Sequence, residues 1–106
     1  IEIAVEHYRF KNTFIKAVSK LDFDEQNKYM SQFAWFSKKV TKAVEEAGLR
    51  IVSLEGHAYD PGMSVTPLNI DDFEVEDELK IVQMIEPIIM QEDTVLKTGT
   101  VLLGRI

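Results

Sequence analysis

The stretch Gly48–Pro61, GLRIVSLEGHAYDP, is where the chain changes its period. Upstream, apolar residues recur at three- and four-residue steps, the spacing of an amphipathic helix. Downstream the period is two, in short runs rich in branched residues, the pattern of strands. Gly48 supplies the left-handed residue that closes many helices, and Leu49 is placed to pack back against the last turn. The joint therefore predicts an α+β chain: an antiparallel helical hairpin over residues 1–48 and a small β head of short, mostly antiparallel strands over residues 49–106.

Working back from the joint, Met30, Phe33, Phe36, Val40, Ala43, Val44 and Ala47 form one stripe, with Lys28, Lys38, Lys39 and Lys42 on the other side. Asp22 with Glu25 has capping-box spacing, with Asp24 as an alternative cap, so the second helix starts there and ends near Ala47. The first helix is predicted from Ile3 to Leu21, on the stripe Ile3, Phe10, Phe14, Ala17, Val18 and Leu21. A connection this short makes the two helices antiparallel neighbours. Tyr29, Trp35 and Phe36 are many aromatics for one surface helix and predict that the hairpin is covered by the β half or by a second copy of the chain.

Working forward, Leu49 to Gly56 is a first strand, and Asp60-Pro61-Gly62 is a turn in which Gly62 allows a positive φ. Ser64 to Asn69 is a short strand that Pro67 confines to an edge. The acidic run DDFEVEDE, residues 71–78, reads as a solvated loop, since it lacks the Asp spacing and the glycine of a calcium site. Leu79 to Met90 and the run from Val95 onward are the arms of a closing hairpin joined by QEDT, with Gly99 marking a bulge or close approach.

The chain has 106 residues, 45% hydrophobic and 28% charged, a globular composition. It has no cysteine, which excludes disulfide frameworks and thiolate metal sites and fits a reducing, cytoplasmic setting. No apolar run approaches the roughly 20 residues of a membrane span. Ile1 is not an initiator methionine, so the chain reads as a piece of a longer protein. Residues 1–48 hold 8 basic and 7 acidic residues, and residues 49–106 hold 4 and 11, giving +1 and −7. So acidic a head repels phosphate backbones, so no nucleic-acid partner is expected.

Candidate chemistry is thin. His7 lies on the first helix, where a boundary role is expected. His57 near Ser53, Glu55 and Asp60 invites a triad or metal site, but side chains on an extended segment and a turn do not converge unaided. No glycine-rich phosphate loop and no acid–base pair of carboxylates stands out. No catalytic residue, metal or cofactor is expected, and a protein-interaction role is favoured over an enzyme.

The order helix, GLRIVSLEGHAYDP and a β head closing in ELKIVQMIEPIIMQEDTVLKTGTVLLGRI resembles GrpE, the nucleotide exchange factor of DnaK-type chaperones. The resemblance covers residues 25–106. Its motifs are Gly48, Leu49 and Ile51 or Val52 at the helix end, then Tyr59, Asp60 and Pro61. The closing hairpin, Leu79 to Met90 and Val95 to Leu103, is similar too. Met63, Ser64 and Val65 stand where the family has a His-Glu-Ala-Val type segment. Ile85, Glu86 and Pro87 replace its Lys-Gly-Tyr, and Lys97 alone matches a basic residue of the last strand.

The resemblance implies a homodimer held by the helices, whose head binds the ATPase domain of a DnaK-type chaperone and promotes ADP release. The implied partner contacts are Met63, Ile85, Glu86, Pro87, Thr94, Lys97 and Leu103, with Gly48, Asp60, Pro61 and Gly62 as structural turn residues. The alternative is a GrpE-like dimeric scaffold or regulatory domain without exchange activity. A ligand-binding domain centred on His57 is a third.

Overall fold

In the computed structural model, which describes residues 1–106, two helices precede six short strands, an α+β arrangement. The chain divides into two compact units, Ile1–Leu49 and Arg50–Ile106. No helix is long and apolar enough to cross a membrane.

The first unit is a helical hairpin of α1 (Glu2–Val18) and α2 (Phe23–Glu46). Asp22 is the N-cap of α2, its carboxylate accepting from the Glu25 N–H at 2.9 Å. A cap of this kind contributes about 1 kcal/mol. The first helix stops short of Leu21 because the connection has its own bonds: Ser19 Oγ donates to Lys16 O, and Gln26 Nε2 donates to Leu21 O at 2.7 Å. At the other end Gly48 has φ 80°, with the Leu49 N–H on Val44 O at 3.1 Å and the Gly48 N–H on Glu45 O at 2.9 Å. Those two bonds define a Schellman ending and satisfy carbonyls the helix leaves open.

Residues early in α1 lie by residues late in α2, as an antiparallel pair requires: Ile3 and Ala4 line one groove with Val44 and Ala47, while Phe14 stacks on Phe33 at 4.9 Å nearer the connection. The buried stripe differs from the one periodicity predicts. Ala4, Val5, Val18, Phe33 and Val44 are buried, whereas Ile3 is 71% exposed and Phe10 and Ala17 are also exposed. A single neighbouring helix covers only a narrow strip of each partner, so the rest of a broad apolar face stays outside.

The second unit holds β1 (Arg50–Val52), β2 (Val65–Pro67), β3 (Leu79–Glu86), β4 (Ile88–Gln91), β5 (Thr94–Lys97) and β6 (Gly99–Arg105). They form two three-stranded sheets, in the orders β1-β4-β5 and β2-β6-β3. Every pair is antiparallel except β2 with β6, and Pro67 does lie on an edge strand. Each predicted hairpin arm is thus broken in two. Pro87 separates β3 from β4 and Thr98 separates β5 from β6, so the base of the hairpin belongs to one sheet and its tip to the other. Proline has no N–H to give a ladder and is tolerated where a strand bends.

Gly99 permits the bend to close. A Cβ there would lie 2.5 Å from Met84 Cε and 3.1 Å from both Glu86 O and Ile88 Cγ1. The close approach predicted for this glycine is present.

Along β3 the alternation of faces fails. Register shifts fall between Ile81 and Gln83 and between Met84 and Glu86. Ile81 and Met84 are both fully buried, while Val82 between them is 50% exposed. One extra residue in a strand reverses the parity of all that follows, which lets two residues of opposite parity share a core. With Ile89, Val101 and Pro87 they are the largest fully buried side chains.

The segment 56–59 adds to the free edge of β3: Gly56 N–H donates to Ile81 O, Ile81 N–H to His57 O and Tyr59 N–H to Leu79 O. Asp60 then starts the turn, with the Met63 N–H on Asp60 O at 2.9 Å and the Gly62 N–H on Asp60 Oδ1 at 3.3 Å. The turn forms without the positive φ that Gly62 would allow.

Candidate functional site

The closing hairpin carries most of the residues singled out in the sequence, and its bend sorts them. Glu86 ends β3 and Lys97 ends β5, so the bend brings them together although eleven positions separate them. Lys97 Nζ lies 3.4 Å from Glu86 Oε1, Thr100 Oγ1 donates to the same oxygen at 3.1 Å, and Lys97 Nζ also donates to Thr98 O at 3.1 Å. Both charged side chains are about three-quarters covered, at 29% and 24% exposure. The pair ties the two halves of the bend.

The other candidates divide by burial. Thr94 is exposed at the start of β5, and Ile85 and Met63 are half-buried, with the Asp60 N–H directed at Met63 Sδ. Pro87 and Leu103 are corrections: Pro87 is among the fully buried side chains and Leu103 is 3% exposed. Pro87 sits inside the bend, and Leu103 pairs with Ile81 at the centre of its sheet, so neither offers side-chain surface to a partner. Gly48, Asp60 and Pro61 lie at the helix end and the turn, as structural positions.

Two residues that periodicity did not single out complete the surface. Val95 and Leu96 are both exposed, 38% and 41%, on β5, the edge strand of its sheet. Neighbours on a strand face opposite ways, so two adjacent apolar residues in one short strand cannot both point into a single core. That signal was present in the TVLK run. An edge strand also presents unpaired backbone N–H and C=O groups, a template for another chain. Thr94, Val95 and Leu96 on this edge, with the Lys97–Glu86 pair beside them, form a small surface of apolar contact, open backbone and one fixed cation.

The tip is reached through a two-residue turn, Glu92-Asp93, in which Glu92 has φ 53°. Arg50 Nη2 donates to Glu92 O at 3.3 Å, holding the turn from β1.

The histidine constellation does not assemble. His57 is exposed, Glu55 Oε1 instead accepts from the Met84 N–H at 2.8 Å, and Asp60 is engaged in its own turn. No group of three His, Cys, Asp or Glu side chains is arranged to hold a metal ion. His7 is half-buried and packed unlike a catalytic group: its ring lies parallel to Phe33 at 5.8 Å, and its Nε2 has no hydrogen-bond partner. Burial, and secondarily the charge of Lys11, hold its pKa below the usual 6.5.

No protein-family model, curated protein or solved structure matches the chain.

Proposed function

We propose that the chain is a GrpE-like nucleotide exchange module, a cytoplasmic co-chaperone whose β head binds the ATPase domain of a DnaK-type chaperone and promotes ADP release. The observation that carries this reading is the bent closing hairpin. It follows a helical hairpin that ends at Gly48, and it presents β5 as an exposed edge with Val95, Leu96 and the anchored Lys97. The GLRIVSLEGHAYDP joint supports it from the side of sequence.

Such an activity is mechanical. A head that binds the open nucleotide cleft better than the closed one lowers ADP affinity by the difference, and linkage requires ADP to weaken the head's binding by the same factor. Coupling of this kind is typically about 1–3 kcal/mol, or roughly 5- to 150-fold. The helices hold two copies together, because one hairpin leaves Phe23 74% and Trp35 65% exposed.

The second reading is a dimeric scaffold without exchange activity. It is favoured by the Lys97–Glu86 pair, which accounts for both charges within the head itself. Release of labelled ADP from a DnaK-type ATPase domain separates the two. Exchange predicts faster release, lost on Leu96→Asp, and the scaffold predicts no change.

A further inference from the structure

The acidic run is a solvent-exposed loop, as its composition predicts, and its own bonds shape it into one wall of a groove. A 3-10 turn, Ile70–Asp72, opens it, and Asp77 closes it: one carboxylate oxygen accepts from the Glu74 N–H at 2.9 Å and from Arg105 Nε at 3.2 Å. The Arg105 guanidinium in turn lies over the Phe73 ring, 5.2 Å from its centre. The Ile106 N–H donates to Glu78 O at 3.0 Å, so the end of β6 clamps the same loop. The loop thus stands away from the turn at Pro61 and leaves a cavity of about 800 Å³ between them.

Its floor is apolar, with Tyr59, Ile70, Phe73 and Leu79 lining it and a fully exposed Val75 on the rim. Asp71, Glu74 and Glu78 line it as well, all exposed and none with a cationic partner, and no Lys or Arg lines it. A loop that only needed solvation would gain nothing from placing Ile70 and Val75 in water. Three unpaired carboxylates around an apolar floor, in a head of net charge −7, create a field that repels phosphates and anionic lipid and draws cations.

We propose that this groove is a second docking site, distinct from the β5 edge, that takes a basic amphipathic segment of a partner protein: apolar side chains on the floor, Lys or Arg against Asp71, Glu74 and Glu78. Affinity comes from the apolar contacts, and the carboxylates select the charge and speed the encounter.

The probe is a fluorescein-labelled peptide of alternating Lys and Leu, with Glu-Leu and Lys-Gly peptides as comparators. Binding is read by anisotropy and by amide shifts of the isotopically labelled chain. The Lys-Leu peptide binds, moves the amides of residues 70–79, and weakens with salt. Val75→Asp, which alters only a solvent-facing side chain, raises Kd about tenfold or more, and Glu74→Lys with Glu78→Lys does the same. Leu96→Asp leaves this binding unchanged, so failure here and failure of the exchange reading are told apart. Equal binding of the Lys-Gly peptide, shifts confined to other residues, indifference to both groove variants, or no binding of the Lys-Leu peptide would each overturn the proposal.

Discussion

The side-chain amide of Asn69 is paired at both ends with the backbone of Leu103: its Nδ2 donates to Leu103 O and its Oδ1 accepts from the Leu103 N–H, each at 2.9 Å. Strand β2 stops at Pro67, and β6 runs on past it. Asn69 therefore completes the ladder where the chain no longer does, on an edge that would otherwise carry an open donor and acceptor. Removing both partners from part-buried groups costs about 1–3 kcal/mol. Asn69→Ala should lower stability by that much in denaturant unfolding and raise the exchange rate of the Leu103 amide. An unchanged Leu103 exchange rate would show that water replaces the side chain without cost.

His7 makes the helical unit sensitive to acid. The fold favours the neutral ring, since burial and the Lys11 charge depress its pKa below the ordinary 6.5. The unfolded chain then takes up the proton first, so the contribution is whole above the unfolded value and is lost as pH falls through it. Stability should decline through this group as pH falls below 6.5 and level off once the folded ring is protonated as well. His7→Phe keeps the stack on Phe33 and removes the unpartnered Nε2. It should flatten that part of the pH profile and raise stability near neutrality by about 1 kcal/mol. A profile as steep in the variant as in the parent would exclude His7 as its source.

Local signals explain what was legible in the sequence. Asp22 with Glu25, and Gly48 with Leu49, each specify a helix end within a few residues, and both ends form as those residues dictate. The division at the joint rests on a change of period that also needs no long-range information. The bend at Pro87 was not legible in the same way. The residues Ile81 and Met84 reach one core only through bulges that depend on β6, and alternation alone puts them on opposite faces. The same holds for Glu86 with Lys97 and for Asn69 with Leu103, where the partner lies 11 and 34 residues away. Asp77 had a charge signature, but its bonds to Glu74 and Arg105 turn an acidic run into a groove wall, which composition does not encode.

Gly48 and Gly99 are required for opposite reasons, which one substitution separates. At Gly48 a Cβ would meet nothing within 4 Å, but the residue has φ 80°. Gly48→Ala should therefore cost only the left-handed backbone penalty, about 1–2 kcal/mol. At Gly99 the backbone is unexceptional and space is the limit, with Met84, Ile88 and the Glu86 carbonyl in the way. Gly99→Ala should cost about 1–3 kcal/mol through overpacking and should shift side-chain signals of Met84 and Ile88. Methyl spectra showing those signals unmoved would contradict the close approach.

Glu92 offers the converse case. Its φ of 53° at the β4–β5 turn is a left-handed conformation that most side chains resist. Glu92→Gly should stabilise the head by about 1 kcal/mol, because glycine takes that conformation without steric cost. The Arg50 bond runs to the Glu92 carbonyl, so it survives the change. Thermal unfolding of the variant at or below the parent temperature would mean that the turn is held by its neighbours and stores no strain.

The exposed aromatics of the helical unit predict association. Trp35 is 65% exposed with Lys39 Nζ 5.1 Å from the centre of its ring, and Phe23 and Ile3 are exposed further still. Burying such side chains stabilises by about 1.5–3 kcal/mol each. One two-helix hairpin has no further surface with which to do it. Sedimentation should show a dimer at micromolar concentration, and Trp35→Glu should shift it toward monomer while leaving the β head's amide spectrum in place. A monomeric parent would remove the helices as the dimer contact, and a dimer indifferent to Trp35→Glu would move that contact to another face.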